Sequence, residues 1–146
     1  MRTLAIDFGK RRVGLAMSDA GGKLATPREV LQITSTPQAI DQIAKVIVAE
    51  AVQRIILGLP LNMDGTQGGA AKEVAEFGRL LASRTGIKVI FVDERLSTFQ
   101  AEQNLLDARR QGQKLTRKSK KLRLDAVAAA HFLQDFLDGK LQAIEQ

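Results

Sequence analysis

The chain has 146 residues, 45% hydrophobic and 26% charged, with 22 Lys and Arg against 16 Asp and Glu for a net charge of +6. That length suits a single domain over residues 1–146 with a sizeable core, and the balance excludes disorder, collagen-like repeats and coiled coil. With no Cys and one His, His131, there is no disulfide framework, no thiol nucleophile and no multi-histidine metal cage. No apolar run is long enough to cross a bilayer, and Met1 to Ile6 reads as a strand rather than a signal peptide, so a cytoplasmic protein is expected.

Leu4-Ala5-Ile6 reads as a buried strand ending at Asp7. Phe8 to Arg12 is a glycine-containing turn, and Val13 to Ser18 returns as a second strand. A third strand is expected between Lys23 and Ile33, with Thr26-Pro27 marking it as irregular or at an edge. The period then changes. Thr36-Pro37 predicts an N-cap followed by proline at the first helical position, and Ile40, Ile43, Ala44, Ile47 and Ala51 recur at helical spacing. Arg54 to Gly58 is a short apolar strand of the kind buried in parallel sheets. The stretch from Leu59 to Gly69 reads as a loop, and a helix follows from about Ala70 to Thr85 with Gly86 as its C-cap. Lys88 to Val92 is a fifth strand, ending at Asp93-Glu94. Ser97-Thr98-Phe99-Gln100 has capping-box spacing and opens a third helix toward Ala108. A last helix is expected from about Leu124 to Leu137, stopped by Asp138-Gly139. The order βββαβαβαα predicts an α/β fold: a five-stranded mixed sheet, three antiparallel strands then alternating units, with helices on both faces.

The positive charge is local. Arg109, Arg110, Lys114, Arg117, Lys118, Lys120, Lys121 and Arg123 fall in fifteen residues without an acid, which leaves the rest of the chain slightly acidic. Nothing in folding demands such a cluster, and it predicts a polyanion partner, nucleic acid before membrane because bulky apolar residues are not interleaved. Lys10, Arg11 and Arg12 form a smaller cluster after the first strand. The chain has six Phe and no Tyr or Trp, so contact through phosphates is expected in place of base stacking. Asn62 is a candidate phosphate or sugar contact in the long loop, and Ser97 and Thr98 are candidates at a helix start.

Three acidic positions share a setting. Asp7 ends the first strand, Asp93 and Glu94 end the fifth, and Asp125 opens the last helix just before the small residues Ala126 to Ala130. Strand ends of this kind line ligand crevices, and a helix with a small-residue face can lie close against the sheet. Carboxylates gathered there need a counter-cation, and an all-oxygen ligand set selects Mg²⁺ or Mn²⁺. Two such ions about 4 Å apart can activate water and stabilise a leaving oxygen at a phosphodiester. Of the adjacent pair, Glu94 is favoured for its longer reach, with Asp93 second. Taken singly, Asp125 could instead serve the helix dipole, Asp7 a turn, and the Asp93–Glu94 pair a solvated loop.

Four segments in series carry a resemblance. They are Asp7-Phe8-Gly9 with Arg12-Val13-Gly14-Leu15-Ala16, Gly58-Leu59-Pro60-Leu61-Asn62-Met63-Asp64-Gly65-Thr66, Asp93-Glu94-Arg95-Leu96-Ser97-Thr98, and Asp125-Ala126-Val127-Ala128-Ala129. In this order the chain resembles the YqgF family, pre-16S rRNA nucleases also described as Holliday-junction-resolvase-like, over roughly Arg2 to Asp138. The resemblance implies a ribonuclease H-like fold and metal-dependent phosphodiester cleavage by Asp7, Glu94 and Asp125, with Asp93 adjacent. It implies a role in maturing the 5′ end of 16S rRNA, with precursor rRNA as the favoured partner. Arg95 is expected to join the cations that hold nucleic acid. The alternatives are a DNA junction resolvase working as a homodimer, a non-catalytic nucleic-acid-binding module, and an actin-like nucleotide binder, which would need two such domains.

Overall fold

The computed structural model describes residues 1–96 and 117–144. Strands β1 (Thr3–Phe8), β2 (Arg12–Ser18) and β3 (Ala25–Gln32) come first, then helix α1 (Thr36–Ala49), strand β4 (Arg54–Leu59) and helix α2 (Gly69–Thr85). Strand β5 (Val89–Asp93) runs into a single 3₁₀ turn (Glu94–Leu96). Helix α3 (Arg117–Leu137) and strand β6 (Ala143–Ile144) complete the described elements. The sheet order is β3-β2-β1-β4-β5-β6. Pairings β1–β2, β2–β3 and β5–β6 are antiparallel, whereas β1–β4 and β4–β5 are parallel.

Among the described residues the sheet therefore has six strands where five are expected from the sequence. The addition is β6, two residues pairing Ala143 with Val92 and Ile144 with Phe91, too short for an alternation pattern to announce it. The expected irregularity in the third strand is present: the β2–β3 register shifts between Leu15 and Ala16, opposite Glu29 and Pro27. The cap of α1 is Ser35 rather than Thr36; Gln38 N donates to Ser35 Oγ at 3.2 Å, and Pro37 falls in the first turn. Gly86 closes α2 at φ 71°, a left-handed conformation open to glycine at little cost.

The last helix is described from Arg117, seven residues before the expected start. Lys, Arg and Leu are good helix formers and no Gly or Pro interrupts them, so the helix runs back into the basic segment. The helix expected over 97–108 lies outside the described residues.

Two cores result. On one face Leu4, Ile6, Leu15 and Leu57 pack against Ile43 and Ile47 of α1 and Phe77 and Leu81 of α2. On the other, Ala5, Ala16, Ile56 and Val92 meet Ala129, Phe132 and Leu133 of α3. Among the described residues no helix is long and apolar enough to cross a membrane.

Candidate active site

Strand alternation fixes what faces α3. Asp7 follows Ala5 at two-residue spacing, Gly14 precedes Ala16 and Gly58 follows Ile56, so all three lie on the α3 face. Asp7 pairs with Gly14 across the β1–β2 ladder, and Gly58 lies beyond the Ile6–Leu57 pair on the other side. The carboxylate thus has a glycine on each flank.

Those glycines make the room that the other two acids use. A Cβ on Gly14 would collide with the main-chain carbonyl of Asp125, so the missing side chain is what lets α3 come down on β2. A Cβ on Gly58 would stand 2.7 Å from Glu94 Oε2 and 3.1 Å from the Phe132 ring. Glu94 leaves the end of β5 in the 3₁₀ turn and lays its carboxylate over β4, toward Asp7. Three acids from β1, the end of β5 and α3 therefore meet at one end of the sheet.

Their electrostatics agree. The Asp7 carboxyl is pushed up to about 8, first by burial and then by the negative charges of Glu94 and Asp125. Glu94 is also raised, first by burial and then by Asp93. Asp125 is held by Arg12, whose Nε donates to Oδ2 at 3.2 Å. Asp125 lies two turns inside α3, so the helix dipole, felt mainly within the first turn, does not account for it.

Asp93 faces a different partner. Arg95 Nε and Nη2 donate to its two carboxylate oxygens at 3.0 and 2.7 Å, and the Arg95 N–H donates to Oδ1 at 3.0 Å. Those bonds hold Asp93 below the usual carboxylate range. Arg95 Nη1 donates to the carbonyls of Asn62 and Met63 at 2.7 and 2.9 Å. Arg95 is thus engaged within the protein. The Asn62 side chain is likewise engaged, with Nδ2 donating to Thr66 Oγ1 at 3.1 Å.

Lys10 and Arg11 are exposed on the turn that follows Asp7, at the same end of the sheet. Arg117, Lys118, Lys120, Lys121 and Arg123 share α3 with Asp125. Ser97, Thr98, Arg109, Arg110 and Lys114 lie outside the described residues.

The donor set is wholly carboxylate, and Asp7 at about 8 has a strong electrostatic reason to take up a cation in place of its proton. Among the described residues no three acidic or histidine side chains are already gathered at the spacing of one ion's ligand shell. Asp125 is paired with the Arg12 guanidinium in this arrangement. Sequence reasoning overlooks Gly14 and Gly58. Their signal is a glycine inside a buried strand at even spacing from apolar neighbours, which marks a close backbone approach.

The family model described as RuvX, Holliday junction resolvase, matches residues 1–139. A protein of Syntrophomonas wolfei provisionally named a pre-16S rRNA nuclease is 41% identical over 95% of both chains. One of the same name from an Anaeromyxobacter strain is 40% identical over 96% of this chain and 98% of its own. Among solved structures, RuvC of T. thermophilus in complex with a Holliday junction substrate superposes with a TM-score of 0.59 at 13% identity, covering 99% of both chains. The Fowlpox virus resolvase with Holliday junction DNA gives 0.54 at 15% identity, over 95% of this chain and 98% of that one.

Proposed function

The chain belongs to the RuvX family of Holliday junction resolvases and has the ribonuclease H-like fold of RuvC-type resolvases; from that premise we propose that it is a nuclease that hydrolyses phosphodiester bonds in structured RNA. Its favoured substrate is the 5′ end of precursor 16S rRNA, in the cytoplasm. The observation that carries this reading is Asp7, set between two strand glycines and raised to about 8 beside Glu94 and Asp125.

Asp7, Glu94 and Asp125 would hold Mg²⁺ or Mn²⁺. The metal, when bound, supplies Lewis-acid activation of water and neutralises charge at the scissile phosphate. The protein's own part is to keep these carboxylates close despite their repulsion. β1 and β4 fix Asp7 and the floor beneath Glu94, while α3 brings Asp125 in over Gly14. Lys10, Arg11 and Arg12, with the cations of α3, attract the phosphate backbone to that end of the sheet. Asp93 supports the site from the far side of β5 through Arg95.

The test is incubation of the purified protein with precursor 16S rRNA and, separately, with a four-way DNA junction, each with Mn²⁺ and with chelator. Metal-dependent, 5′-phosphate-bearing products from the RNA are expected. Asp7→Asn should lower the cleavage rate by roughly a thousandfold or more with binding nearly intact. Cleavage of the junction alone would move the substrate to DNA. Metal-independent binding without cleavage of either would leave a nucleic-acid-binding module.

A further inference from the structure

The loop between β4 and α2 is a closed structure in its own right. Asn62 N donates to the Thr66 carbonyl at 2.9 Å and Gly65 N to the Asn62 carbonyl at 2.9 Å. Asp64 Oδ1 accepts from Thr66 N at 3.0 Å and from Thr66 Oγ1 at 2.6 Å. Gly65 sits at φ 86°, which the turn needs and few other residues adopt. Such a turn keeps its own shape but does not fix its place relative to the sheet. Leu61 at its root packs against the core, and Arg95 ties its tip to the end of β5. The guanidinium spans from the Asp93 carboxylate, at the end of β5, to two adjacent loop carbonyls. The Asn62 carbonyl accepts from both Gly65 N and Arg95 Nη1, so the turn and the anchor share one atom.

Asp93 is mostly buried and pairs with Leu59, the last residue of β4 before the loop. Anchor, loop root and Glu94 therefore sit at one corner. The loop raises Met63, 98% exposed, beside the acidic end of the sheet. We propose that Arg95 is a positioning residue: seated on Asp93, it is a strut that sets the 60–68 loop at the rim of the acidic site, where it places nucleic acid for cleavage. Asp93 then acts as the footing of the strut and not as a metal ligand. The effect on cleavage rests on the nuclease reading, whereas the strut itself does not. Geometry also explains why the residue is Arg. A planar fork can meet a carboxylate on one edge and carbonyls on the other, which the point charge of Lys cannot.

The experiment compares Arg95→Ala, Arg95→Lys and Asp93→Asn in the full chain, by amide hydrogen exchange and by steady-state cleavage of precursor 16S rRNA or the four-way junction. In Arg95→Ala the Asn62 and Gly65 amides should exchange about tenfold faster or more, with the β1 amides unchanged. KM should rise about tenfold with kcat within about threefold. Arg95→Lys should lose nearly as much on both readouts, and Asp93→Asn, which keeps the side-chain shape, should fall between. Unchanged loop exchange in Arg95→Ala overturns the strut, as does full rescue by Lys. Faster exchange with unaltered KM overturns the role in placing substrate. If Arg95→Ala fails to fold, Asp93→Asn carries the same comparison. Wild-type protein that cleaves neither substrate ends the nuclease reading, while the exchange rates still decide the strut.

Discussion

The two faces of the sheet are built from different residues for different ends. The face under α1 and α2 is thick with large side chains: Leu4, Ile6, Leu15 and Leu57 meet Ile43, Phe77 and Leu81, and Phe8 stacks on Phe77 with ring centroids 4.1 Å apart. The face under α3 sets Ala5, Ala16 and Gly14 beside Ile56 and Val92, with Asp7 and Glu94 at its open end. Large side chains bury area and hold layers apart. Small ones surrender area and let backbones approach, which here brings a helix carboxylate to a strand carboxylate. Stability is concentrated on one side of the sheet and chemistry on the other.

Substitutions on the two faces should therefore part company. Phe77→Ala, on the thick face, should cost about 3–5 kcal/mol in denaturant unfolding. Assayed below its transition, it should keep kcat within about twofold. Gly14→Ala adds one methyl on the thin face and should cost about 1–3 kcal/mol, because α3 must lift from β2. Its cleavage rate should nonetheless fall at least about tenfold at temperatures where it is folded. Equal losses of stability and rate in both variants would erase the contrast between the faces.

A third effect has the opposite sign. Asp7 is raised to about 8 in the folded protein, above its ordinary value near 4 in the unfolded chain. The folded state then holds a proton that the unfolded state has released, so metal-free stability falls as pH rises from about 4 to about 8. Asp7→Asn removes this dependence and should be more stable than the wild type at neutral pH without metal, read as a rise in Tm. Mn²⁺ should raise the Tm of the wild type, increasingly up to about pH 8, and do little for the variant. A flat difference between the two across this pH range would show that Asp7 does not carry the strain.

Much of the fold was legible because apolar runs, two-residue alternation and helical spacing are local signals. Their order restricts a chain of this size to few topologies. What escaped was weak or ambiguous locally. β6 offers two residues, and the start of α3 lies in a charge run that reads equally well as a solvated loop. At the site, Asp7, Glu94 and Asp125 could be singled out by position, and the structure brings them to one end of the sheet. The separate environments of Asp93 and Glu94 could not be read so firmly. They depend on which face each takes after the strand ends, and on Arg95 reaching a loop more than thirty residues earlier. Such a contact leaves no periodic trace, so Arg95 reads in the sequence as one more cation.

The register shift opposite Pro27 has a consequence for behaviour in concentrated solution. β3 is an outer strand of the sheet, and such a border is an open template on which another polypeptide can hydrogen-bond. Here Pro27 withholds an amide, the shift bends the ladder, and Arg28 ties itself to Glu29 and Glu50 alongside. The opposite border ends in the two residues of β6. With both margins blunted, the fold guards itself against runaway sheet-to-sheet polymerisation.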